Sequence, residues 1–110
     1  MNLLTKAIEK TLEKYPLYSQ DGKGGNAKVI CKYFFGNFTW YVLEGRKMDS
    51  DYEFYGIVKN DAYEEAEYGY FTLSQLKEVR HWGYPCVERD MYFKSCKVSE
   101  CKGLSSMLNF

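Results

Sequence analysis

The sequence predicts an α+β domain: an antiparallel meander sheet of about five strands, an N-terminal helix, and a helix between the last two strands. Three observations carry this. Apolar residues recur at helical spacing near the N-terminus, four segments of period-two alternation follow, and a helix-capping signature separates the fourth from a last strand candidate.

Residues 2–15 place Leu4, Ala7, Ile8 and Leu12 on one face, with Lys6, Glu9, Lys10, Glu13 and Lys14 on the others. Pro16 disfavours helical geometry at Tyr15, so this N-terminal helix, within residues 1–18, should stop there. Ser19 to Asn26 is a loop by composition, with Gly22 to Gly25 as a flexible link. Its Gly22-Lys23-Gly24-Gly25 run lacks the Gly-Lys-Ser/Thr that opens a phosphate-binding helix.

The strand candidates are 28–35, 38–44, 52–59 and 67–72. Sequential strands joined by such short links pair antiparallel. Alternation groups Val29, Cys31, Tyr33 and Phe35 against Ile30, Lys32 and Phe34, and Phe38, Trp40 and Val42 against Thr39, Tyr41 and Leu43. Neither face is purely polar, so both are expected to be covered at least in part. Thr72 and Gln75 fit a capping box, and Phe71 with Leu76 a hydrophobic staple. That helix should run to about Arg80, before His81-Trp82-Gly83-Tyr84-Pro85 breaks it. A last strand is expected over 87–94. The tail, 95–110, is read as one short helix after Val98, interrupted by Gly103. The chain, 1–110, reads as a single domain.

Several function classes are disfavoured. Net charge is zero, with residues 1–48 at +4, 49–67 at −6 and 68–110 at +2. A neutral chain lacks the basic footprint of a duplex-DNA binder. The acidic stretch reads first as a solvated loop and hairpin edge. The N-terminal residues alternate charge and apolarity, unlike a signal peptide, and no run approaches a membrane span. A cytoplasmic protein with no membrane partner is expected. Its four cysteines, Cys31, Cys86, Cys96 and Cys101, are then expected to be reduced. His81 with three of them lacks the close ligand pairs of structural zinc, so neither metal nor cofactor is expected. No local signature pairs a cysteine with His81 for nucleophilic catalysis.

Two sets of residues remain as candidates for binding. Glu44 ends an apolar strand, and Glu88, Arg89 and Asp90 interrupt another. Alternation puts Arg89 beside Val87 and Met91, facing inward, with Glu88 and Asp90 opposite. A buried guanidinium needs a partner, and Glu44 is the expected one. The pair closes the sheet structurally or, alternatively, belongs to a binding site. The second set is aromatic: Tyr33, Trp40, Tyr41, Tyr52, Tyr55, Tyr68 and Tyr70 crowd the strands. They serve packing, or they form an exposed face suited to a protein partner or to single-stranded nucleic acid.

Five segments in order, Lys32–Phe35, Thr39–Gly45, Phe54–Val58, Glu67–Leu73 and Val87–Phe93, resemble domain-of-unknown-function family 2958. The resemblance spans about residues 28–93 and leaves out the N-terminal helix and the tail. It implies an accessory protein of bacterial plasmids, conjugative elements and phages, with no assigned activity. The expectation is therefore a non-enzymatic mobile-element protein that binds another protein, with counter-defence as its task, at Trp40, Tyr41, Glu44, Glu88, Arg89 and Asp90. The alternatives are a single-stranded nucleic-acid module using the aromatic face, and a hydrolase built on Glu44, Glu88 and Asp90.

Overall fold

Thr5 starts the first helix: its side chain accepts from the Ile8 N–H. In the computed structural model, which describes residues 1–104, α1 spans Lys6–Leu12, shorter than the predicted 2–15. Beyond Leu12 the Lys14 and Tyr15 amides bond back only three residues, a tightening that ends the helix ahead of Pro16.

The chain then forms β1 (Lys28–Val29), β2 (Cys31–Phe35), β3 (Phe38–Lys47), β4 (Tyr52–Asn60), β5 (Glu65–Thr72), α2 (Leu73–Glu78), β6 (Arg80–His81), β7 (Tyr84–Pro85), β8 (Glu88–Arg89) and β9 (Cys96–Lys97). The main sheet is antiparallel and ordered β5-β4-β3-β2-β8. The meander and the α+β class are as predicted. The capping box is present, with Thr72 and Gln75 bonding reciprocally.

Three differences have local causes. The segment 28–35 divides at Ile30, because β1 leaves the main sheet to pair with β9. The helix-breaking stretch after α2 is itself a small hairpin, β6–β7, turning at Trp82 and Gly83, both with positive φ. The last strand is two residues instead of 87–94. The Asp90 amide still bonds the Lys32 carbonyl, but its carboxylate accepts from the Tyr92 N–H at 3.0 Å and turns the chain away.

Both faces of the sheet are covered in part, as alternation required. On one side α1 and α2 pack Leu12 and Leu76 onto Tyr33, Val42, Phe54 and Phe71. On the other the tail packs Val98, Cys101 and Leu104 onto Val29, Tyr41, Leu43 and Ile57. The predicted tail helix is a single 3₁₀ turn, Val98–Glu100; residues 105–110 of that prediction lie outside the described residues.

Candidate binding surface

The six residues singled out from the sequence do not form one site. Trp40 is half-buried on the helix side and stacks on Phe38 with centroids 5.9 Å apart. Tyr41 is buried on the tail side, and that burial pushes its phenol up to about 12. Glu88 is exposed at the far edge. Asp90 is half-buried, with an oxygen 3.7 Å from Lys32 Nζ.

The expected Glu44–Arg89 pair does not form. A β-bulge between Val42 and Glu44 shifts the register by one, so that Glu44 stands opposite Tyr55 while Val42 stands opposite Gly56. Before the bulge, even-numbered residues of β3 face the helices; after it, Glu44 faces the tail side. Arg89 lies opposite Tyr33, on the helix side and two strands away, roughly 10 Å by interstrand spacing. Its guanidinium donates to the Asn2 carbonyl instead, half-exposed, and Met91 points to solvent. Gly56 is what admits the bulge: a Cβ there would overlap the Tyr41 carbonyl.

Glu44 is 2% exposed, and both of its oxygens are used. They accept the Tyr18 N–H at 2.7 Å and the Gln20 N–H at 2.8 Å. Gln20, also buried, donates to the Lys28 and Leu43 carbonyls at 2.8 Å and accepts from the Lys28 N–H. The stretch 19–26, read as a loop, is clamped to the sheet at Gln20, ahead of the Gly22–Gly25 link. Sequence reasoning passed over Gln20 because a loop by composition gives no sign of a buried amide within it.

That clamp raises one wall beside a row of tyrosines. Tyr55, Tyr68 and Tyr70 share the tail-side face of β4 and β5, set by the pairs Tyr55↔Tyr70 and Ile57↔Tyr68. Tyr55 lies 4.9 Å from Tyr70 and 6.2 Å from Tyr68, centroid to centroid. Tyr68 is 43% and Tyr70 52% exposed, and Tyr18, on the wall with φ 74°, is 66% exposed. The Tyr18 hydroxyl, more than burial, pushes the Tyr70 phenol up to about 12. Burial raises Tyr55 and Tyr68 as well. Phenols held protonated through the neutral range are hydrogen-bond donors and contact surfaces rather than general bases.

Two grooves flank the row. One, about 370 Å³, runs between Asp21, Gly22, Tyr55 and Tyr68, with Glu44 at its base. The other, about 550 Å³, lies between Pro16, Tyr18, Tyr70 and the Arg46–Glu53 ion pair, whose atoms are 2.9 Å apart. Tyr68 and Tyr70 also stand on the edge of the sheet, since β5 pairs only with β4 among the described strands. An edge strand of eight residues without Pro or Lys offers its outward amides and carbonyls to another chain. Among the described residues no cluster of three or more His, Cys, Asp or Glu could hold a metal. Glu44, buried on β3, lies two strands from Glu88 and the neighbouring Asp90, so the three carboxylates do not come together in one place.

An antiparallel five-stranded sheet packed by helices on one face and by a tail on the other is an α+β frame. Over residues 3–101 the chain matches the family described as protein of unknown function DUF2958, and it belongs to that family. The match takes in α1 and the tail through Cys101, so the shared region is wider than the 28–93 of the sequence resemblance. No curated protein and no solved structure matches the chain. No helix among the described residues is long and apolar enough to cross a membrane.

Proposed function

We propose that this chain is a protein-binding module that docks its partner along the tyrosine row and the free edge of β5. Its setting in this proposal is a bacterial mobile element, where an accessory protein of this kind binds a host protein in the cytoplasm. The observation that carries the reading is the exposed pair Tyr68 and Tyr70 on the edge strand β5, packed against the half-buried Tyr55 of β4. Tyr supplies large contact area for little conformational entropy, and an unpaired strand supplies main-chain hydrogen bonds to an extended peptide. Charge favours a protein over single-stranded nucleic acid. Asp21, Glu53, Glu65 and Glu67 surround the row or share its strand, and a phosphate backbone would meet them at a cost.

The test is affinity capture from the host cytosol with the wild type and with Tyr68→Ser/Tyr70→Ser. The wild type is expected to retain a stoichiometric protein that the variant loses, with Tm lower by no more than a few degrees because both side chains are exposed. Equal retention by the two proteins, or retention of an oligonucleotide instead, overturns the proposal.

A further inference from the structure

The tail carries two sulfur atoms that neither the sheet nor the tyrosine row uses. Cys96 Sγ and Cys101 Sγ are 2.7 Å apart, closer than two non-bonded sulfur atoms normally approach. Both are thiols in the structure. Their environments differ. Cys101 is buried in the tail-side core with Val98, Leu104 and Tyr41. Cys96 is half-buried and forms part of the wall of an open groove of about 430 Å³. Lys23, Lys28 and Lys97 also line that groove, with Glu100 the one acid among its lining residues. A thiol at the mouth of a basic groove is where an anionic reagent arrives first, and a thiol directly behind it is where the resulting adduct is resolved.

We propose that Cys96 and Cys101 form a thiol–disulfide exchange site for anionic low-molecular-weight disulfides, a peptide disulfide bearing free carboxylates being the chemical class that the lysine-rimmed groove accepts. The Cys96 thiolate attacks one sulfur of the incoming disulfide. The S–S bond of the reagent breaks, one half leaves as a thiolate and takes up a proton, and Cys96 is left in a mixed disulfide. Cys101 then loses its proton to solvent and attacks Cys96 Sγ, expelling the second half as a thiol. Two protein thiols and one small disulfide become one protein disulfide and two small thiols. Burial holds the Cys101 thiol up at about 12, so it stays protonated while Cys96 makes the first attack. The new bond joins β9 to the end of the 3₁₀ turn and closes a short loop within the tail.

The experiment treats the full chain with oxidised glutathione, then alkylates the remaining thiols and maps the peptides by mass spectrometry. The expected product has lost about 2 Da, joins Cys96 to Cys101, and leaves Cys31 and Cys86 to be alkylated after denaturation. Its Tm should be higher than that of the reduced chain by roughly 5–10 °C. Cys101→Ser should stop at a glutathione adduct on Cys96. Oxidised glutathione should react several-fold faster than the cationic disulfide cystamine, and added salt should erase the difference. A bond involving Cys86, a stable glutathione adduct on wild-type Cys96, or no reaction of either thiol overturns the exchange site. Faster reaction with cystamine overturns the anionic preference. If Cys101→Ser does not fold, the wild-type peptide map alone decides between these outcomes.

Discussion

Strands β4 and β5 carry aromatic residues on both faces, and the two sets meet different fates. On the helix side Tyr52 lies 5.2 Å from Phe54, and Phe54 lies 5.5 Å from Phe71. On the tail side Tyr55 lies 4.9 Å from Tyr70 and 6.2 Å from Tyr68. The ring-to-ring distances are alike, yet the first set is buried and the second reaches solvent. Contact between rings therefore does not separate core from surface. What separates them is cover, and the cover comes from elements distant in sequence. Leu12 of α1 and Leu76 of α2 close the helix side. On the tail side Val98 and Leu104 reach Tyr41 and Ile57, and on β5 the cluster takes in Ala66 but not Tyr68 or Tyr70.

The largest expected effect comes from removing a ring on the covered side. Phe54→Ala should destabilise the chain by about 3–5 kcal/mol, read by chemical denaturation, because the surrounding side chains cannot collapse into the space. The same truncation in the open, Tyr70→Ser, should cost less than about 1 kcal/mol. Comparable losses at both positions would erase the distinction between the two faces.

Next is Glu44, whose carboxylate holds the wall beside the open set. Glu44→Ala leaves the Tyr18 and Gln20 amides without their acceptor, the latter in a buried setting. A cost of about 2–3 kcal/mol is expected, with weaker partner binding because Tyr18 loses its position. A fully stable Glu44→Ala protein would mean that the wall stands without its anchor. Arg89→Ala should cost less than about 1 kcal/mol, since the guanidinium is half-exposed and its hydrogen bond among the described residues is to the Asn2 carbonyl. A loss as large as that of Phe54→Ala would place Arg89 in the core after all.

The smallest effect concerns the cover itself. Asp51 accepts from the Ser74 hydroxyl at 2.6 Å and the Ser74 amide at 3.0 Å, tying α2 to the start of β4. These bonds, the Ser74 hydroxyl first, hold its carboxyl below 3.8. A depressed folded-state pKa contributes stability that is present above the unfolded value and lost as pH falls through the folded one. Acidification below about pH 4 should therefore loosen α2 slightly, and Asp51→Asn should remove that part of the acid sensitivity. An Asp51 carboxyl resonance titrating at or above 3.8 by NMR would contradict the assignment.

Much of this arrangement was legible. The segments that became β2 to β5 announced themselves by alternation, and Thr72 with Gln75 marked the start of α2 by a spacing that only a helix N-terminus uses. The face of Glu44 was not legible, because a bulge is one extra residue inside an unbroken apolar run, and alternation counted through it assigns the wrong side. The signal that could have corrected it sits on the neighbouring strand. Gly56, a glycine within a β-pattern, marks close backbone approach, here by the Tyr41 carbonyl. The shortness of β8 was partly legible in Asp90, a residue that turns chains by accepting from an amide two positions on. The burial of Gln20 had no local marker, since its partners lie eight and twenty-three residues away.

The two bonds to Glu44 also set a clock for the wall of the tyrosine row. Neither the Tyr18 nor the Gln20 amide can exchange its proton with solvent until the carboxylate lets go, and the same carboxylate holds both. Within this glycine-rich connection, these two amides should share a single slow rate. That rate is the opening frequency of the wall: it reports how often the groove above Glu44 widens, and a partner seated against Tyr18 should slow both protons together.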